Sequence, residues 1–153
     1  MAGKEQLVDE ALAAPPSKLE SGSGFRFEVN VFFTTSEATL SVLNTAGRLA
    51  GRLGARISLI VPQVVPFPLP LAQPTIAPEF TARKARAVAA GYPGEAEIKV
   101  CLCRQPVDAA LSILKPNSLV LIGGKRRLWP TAEKRLAREI GRRGHQVLFI
   151  NQE

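Results

Sequence analysis

Residues 25–33 alternate apolar Phe25, Phe27, Val29, Val31 and Phe33 with polar Arg26, Glu28 and Asn30, which is the period of a β-strand. From residue 36 the period changes. Leu40, Leu43, Ala46, Gly47, Ala50 and Leu53 fall three or four apart, with Arg48 and Arg52 on another face, so residues 36–54 read as a helix. Ser36 is its expected N-cap and Gly54 its expected C-terminal stop. Residues 56–61, RISLIV, form a short β-branched run and read as a buried strand. From Pro62 to Pro78 the prolines come too densely for regular structure, which predicts an ordered, irregular loop lying across the sheet or its edge.

Helical and strand periods then alternate. Residues 79–91 read as a helix ended by Gly91. Residues 96–103 read as a strand with Ile98, Val100 and Leu102 on one face and Lys99, Cys101 and Cys103 on the other. Pro106 opens a short helix over 106–115, and residues 118–124 are an apolar run of the kind found in a central parallel strand. Residues 131–144 follow as a helix capped by Thr131, and residues 145–151 as a last strand. The order β-α-β-loop-α-β-α-β-α-β predicts an α/β fold, an open doubly wound parallel sheet of five strands with helices on both faces. A central strand is expected to be apolar on both faces. The alternation at 25–33 therefore suggests that only its second half lies fully inside the sheet, or that a hairpin-like extension begins it.

Composition bounds this picture without changing it. The 153 residues fit one α/β domain over 25–153 behind a mobile N-terminal tail over 1–24, with one short helix around Glu5–Ala14. The tail lacks the features of a signal peptide. The most apolar stretch, 57–72, is broken by Pro62, Pro66, Pro68 and Pro70 and cannot form a spanning helix of roughly 20 residues, so the expected location is cytoplasmic. Cys101 and Cys103 lie on one face of one strand and are expected to stay reduced. Charge is uneven: residues 123–153 carry eight cations and three anions, so the basic excess of the +7 chain gathers near its end. Such an excess attracts anionic ligands, nucleic acid or acidic partners, or is a solvated helix face.

No nucleophile elbow, metalloprotease, phosphate-loop or dinucleotide-binding signature occurs, and the sole histidine, His145, stands at a helix-to-strand junction without a catalytic partner. Cys101 and Cys103 lack metal-site spacing and companions. The chain is therefore expected not to be an enzyme and to hold no metal. In a doubly wound sheet, ligands bind outside the carboxyl ends of the strands. Two stretches belong there, residues 34–39 after the first strand and residues 123–131 after the fourth, each leading into a helix N-terminus that favours an anion.

The stretches 31–62, 104–124 and 130–151 resemble the universal stress protein (UspA-like) family in pattern and element order, with Gly54 and Ala55 matching its Gly-Ala pair. The resemblance implies a Rossmann-like, adenine nucleotide alpha hydrolase-like sheet of order 3-2-1-4-5 and a homodimer paired through the last strand. It also implies a candidate nucleotide or anion site at Thr34, Ser36, Val61, Gly123, Gly124, Lys125, Arg126, Arg127 and Thr131. Here the site departs from the family. Thr34 and Thr35 stand where an acidic residue and a glycine are expected, Arg126 replaces a loop glycine, the loop is about five residues short, and Pro130 precedes Thr131. Pro62 removes a backbone donor beside the adenine position. The expectation is a non-enzymatic stress-response or regulatory module with a degenerate ATP loop and no obligate cofactor. Two alternatives stay open. ATP, AMP or another phosphorylated metabolite could be held by the cations of the loop. Nucleic acid could be held by Lys134, Arg138 and Arg142, although no recognition motif accompanies them.

Overall fold

The computed structural model describes residues 6–9, 27–125 and 131–152. The alternating stretch becomes strand β2 (Glu28–Phe32), preceded in the chain by a short strand β1 (Gln6–Asp9). Helix α1 (Ser36–Leu53) then leads into β3 (Arg56–Val64) and α2 (Pro78–Ala89). Strand β4 (Glu97–Cys103), helix α3 (Pro106–Ile113), strand β5 (Leu119–Lys125), helix α4 (Ala132–Arg142) and strand β6 (Gln146–Gln152) complete the order. The sheet runs β1-β4-β3-β2-β5-β6, so its five parallel strands stand in the expected order 3-2-1-4-5.

The sixth strand is a departure. β1 pairs antiparallel with β4, Gln6 opposite Leu102 and Asp9 opposite Lys99, where sequence reading placed a mobile tail with a short helix. A four-residue strand carries little local signal; the unpaired edge of β4 supplies the partner, and that edge is remote in sequence.

Helices α1 and α2 cover one face through Val42, Leu43, Ala46, Ala82 and Ala85, against Val31, Leu59, Val100 and Leu121. Helices α3 and α4 cover the other through Ala109, Ala110, Ala137 and Ile140, against Phe32, Ile60 and Ile122. Each fully buried Leu, Ile, Val or Phe contributes about 1.5–3 kcal/mol. The alternation of β2 does not mark a half-exposed strand. Asn30 is buried and donates from Nδ2 to the Leu119 carbonyl at 3.0 Å, which lets a polar side chain sit between the two layers. Glu28 meets Arg56 at 3.5 Å at the sheet's lower end.

Three boundaries differ in ways that matter for the site. The N-cap of α1 is Thr35, whose Oγ1 accepts from the Ala38 N–H at 3.2 Å; Ser36 is the first helical residue. β3 continues through Pro62 to Val64. The carbonyl of Ile60 accepts from the Phe33 N–H at 2.8 Å, so Ile60 faces β2, and Pro62, two residues on, faces the same side beyond the end of β2. No ladder bond is lost there, which is why a proline is tolerated. β5 continues through Gly123, Gly124 and Lys125, which pair with Ile150, Asn151 and Gln152 of β6. The two glycines, expected both to end the strand and to begin the loop, are therefore strand, and Lys125 extends it by one residue.

The chain between β3 and α2 is irregular, as expected, and lies over the upper sheet. Val65, Leu69 and Leu71 pack on Leu102. Arg104 donates from Nη1 to the Val65 and Leu69 carbonyls at 3.1 and 2.8 Å, and Gln63 donates from Nε2 to the Ile76 carbonyl at 2.7 Å. His145 accepts at Nδ1 from the Ser118 N–H at 3.2 Å, a structural contact at a strand entrance. Cys101 and Cys103 are buried, the former with its Sγ 3.5 Å from the Ser112 hydroxyl.

Candidate functional site

Above the ends of β2 and β3, α2 on one face of the sheet and α3 and α4 on the other leave a crevice between them. Its floor is formed by Phe32, Phe33 and Thr34 after β2 and by Val61, Pro62 and Gln63 of β3. Its walls are Ile76, Phe80 and Lys84 on one side, and Gln105, Val107, Leu111, Glu133, Arg135 and Leu136 on the other. The cleft holds about 990 Å³, at the upper end of the range for small-molecule sites.

Of the nine residues expected from the sequence, Thr34 and Val61 line this cleft. Thr34 is committed to the protein itself. Its hydroxyl donates to the Gly123 carbonyl at 3.0 Å and its N–H donates to Thr39 Oγ1 at 3.1 Å, tying the ends of β2 and β5 together. Ser36 is exposed in the first turn of α1. Thr131 caps α4, accepting at Oγ1 from the Lys134 N–H at 3.2 Å. Lys125 is exposed at the end of β5. Arg126 and Arg127 lie outside the described residues.

The two glycines have a packing reason. A Cβ on Gly123 would stand 2.5 Å from Val42 Cγ2 and 3.1 Å from the Ala38 carbonyl oxygen. A Cβ on Gly124 would stand 2.8 Å from Phe149 Cζ and 3.1 Å from Glu133 Cβ. Gly123 thus admits α1, and Gly124 admits the start of α4 and the ring of β6. Both glycines lie in a strand that pairs with β6, and close packing on each accounts for the absence of a Cβ.

Sequence reasoning missed the apolar walls. Phe80 is the sole aromatic of an arginine- and alanine-rich helix, and that signal was available. Ile76 and Leu111 gave none, because their convergence depends on how α2 and α3 dock. Among the described residues, no group of three or more His, Cys, Asp or Glu side chains is placed to hold a metal ion. No helix there is long and apolar enough to cross a membrane.

No protein-family model and no curated protein matches the chain. Solved structures do. A universal stress protein in complex with cAMP superposes with a TM-score of 0.58 at 18% identity, over 83% of this chain and 98% of that one. The universal stress protein from Archaeoglobus fulgidus gives a TM-score of 0.58 at 15% identity, over 87% of this chain and 99% of its own. With its five parallel strands in the order 3-2-1-4-5, this chain has the fold of the universal stress proteins.

Proposed function

We propose that the protein is a universal stress protein-like, non-enzymatic regulatory module that binds a small molecule in the cleft above β2 and β3 and does not hold ATP by a glycine phosphate loop. The placement of Gly123 and Gly124 inside strand β5, where contacts with Val42 and Phe149 account for their missing Cβ atoms, carries this reading, because the two glycines then need no phosphate to explain them. Pro62 likewise presents no N–H to the cleft floor. The similar fold of a protein solved in complex with cAMP supports a small-molecule ligand.

Two measurements test the reading. Calorimetry with AMP, ADP and ATP is expected to show no gain in affinity along the series; a tenfold gain from AMP to ATP would restore the phosphate loop. A thermal-shift screen of small metabolites is expected to give stabilising compounds whose effect disappears in Phe80→Asp, a change at an exposed wall residue. If every stabiliser acts equally on Phe80→Asp, the cleft is not the site. A second reading rests on exposed Lys125 at the end of β5, with Arg126 and Arg127 following it in sequence as anchors for a phosphorylated ligand. It requires that inorganic phosphate or AMP lose at least fivefold in affinity in Lys125→Ala.

The module is further proposed to act in the cytoplasm as a homodimer paired along β6. Among the described residues the outer edge of β6 has no neighbouring strand, and its Leu148 is 46% exposed.

A further inference from the structure

We propose that the ligand of this cleft is an apolar organic anion carrying a single charge, such as an acyl or aryl carboxylate, with its body on the Phe80, Ile76 and Leu111 walls and its charge at Lys84 and Arg135. The inference rests on the cleft being a ligand site and adds the class of ligand.

The apolar half comes from where hydrophobic side chains are left in solvent. Eight large hydrophobic residues are exposed among the described residues, and Val64 (46%), Ile76 (51%), Phe80 (55%) and Leu111 (41%) all line this one cleft. Single exposed apolar residues are ordinary, but convergence around a concavity marks a binding surface. The wall is also built in advance: Gln63 holds the Ile76 carbonyl, and Arg104 holds the preceding loop by two carbonyls. A preformed wall loses little conformational freedom on binding.

The charged half comes from which ionic groups are already occupied. The cleft is lined by three cations, Lys84, Arg135 and Arg143, and three carboxylates, Asp108, Glu133 and Glu139. Asp108 accepts from the Gln105 N–H at 3.0 Å, and Glu139 bridges Arg142 and Arg143 at 3.4 and 3.2 Å. Glu133 sits in the first turn of α4, where the helix dipole favours it. Lys84 and Arg135 are exposed and form no ion pair among the described residues. A site with equal numbers of both signs offers no positive excess for the three or four charges of a nucleoside triphosphate, whereas two cations outside any ion pair among the described residues match the single charge of a carboxylate.

Calorimetry with octanoate, octan-1-ol and octylamine, which share one apolar body, reads body and charge separately. Octanoate is expected to bind at least tenfold tighter than octylamine. Replacing Lys84 and Arg135 together by alanine is expected to weaken octanoate at least fivefold and leave octan-1-ol unchanged, while Phe80→Asp weakens both. Octylamine binding as tightly as octanoate overturns the proposal, as does octanoate affinity unmoved by the double alanine change or by Phe80→Asp. Circular dichroism and melting of each variant establish that it is folded before its affinity is compared. If octanoate fails while other metabolites stabilise the protein in a Phe80-dependent way, the cleft remains the site and only the ligand class falls.

Discussion

Gly123 shows how a residue can be conspicuous in a sequence without revealing what surrounds it. Two glycines at the end of an apolar run signal that no Cβ is wanted there, but not what fills the space. In this fold Val42 and the Ala38 carbonyl fill it. Gly123→Ala is expected to destabilise the protein by about 1–3 kcal/mol through overpacking. The same change in a Val42→Ala background is expected to cost less, because the nearest of the two obstacles is gone. Urea unfolding of the four species measures the coupling, and additive effects would show that the clash is not what constrains residue 123. Ser58 argues the converse. Its hydroxyl is buried with no hydrogen-bond partner among the described residues, next to Asn30 across the β2–β3 ladder. Ser58→Ala removes the unmet group and is expected to raise stability by about 1 kcal/mol, read as an upward shift in melting temperature. A loss of stability would mean that the hydroxyl is satisfied in solution. Neither the clash nor the orphan hydroxyl was legible from one strand's sequence, since each is defined by a neighbour.

Elements were more legible than their ends. The periodicities of α1, α2, α4 and the parallel strands are local properties, and all of these elements form where the pattern puts them. The ends failed where a partner decides. β3 runs on through Pro62 because β2 has already stopped, and β5, read as ending at Gly124, runs on to Lys125 because β6 continues beside it. The candidate site suffered most from this, since its glycines and Lys125 belong to a strand and its walls come from helices read only as scaffolding. The loop between β3 and α2 was legible as irregular but not as anchored. Arg104 supplies the anchor, with Nη1 on two carbonyls and the guanidinium 5.5 Å from the Phe67 ring centroid. A lysine cannot reproduce that planar fork. Arg104→Lys is therefore expected to leave the global melting temperature within a few degrees. It should raise amide exchange across residues 65–77 at least threefold, as read by mass spectrometry. Unchanged exchange there would assign the loop's order to the Leu69 and Leu71 packing alone.

At the scale of the whole molecule, the two edges of the sheet have different fates. β6 is open on its outer side among the described residues, whereas β4 is covered by β1, which comes from the far end of the sequence. An open edge exposes unpaired N–H and C=O groups and recruits another strand; a covered edge does not. The sheet keeps an edge on each side, but the four-residue β1 offers little backbone to pair with, so copies are expected to meet along β6 in a two-fold pair rather than add at both sides. The N-terminal strand is thereby expected to limit assembly, a role invisible to any reading of residues 1–24 in isolation. Sedimentation of the full chain at increasing concentration is expected to level off at two copies, and Leu148→Lys on β6 is expected to weaken that pair at least tenfold by placing a charge at the contact. Deleting residues 1–9 uncovers β4. The truncated chain is then expected to exceed two copies as concentration rises, and to return to a dimer limit when a charged residue is introduced into β4 at Leu102 only if the added copies meet along that edge. Because Leu102 also packs under the Val65 and Leu71 side chains, circular dichroism and melting of this variant establish that it is folded before its assembly is compared. A truncated chain that still stops at two copies would show that β1 does not guard the edge it covers.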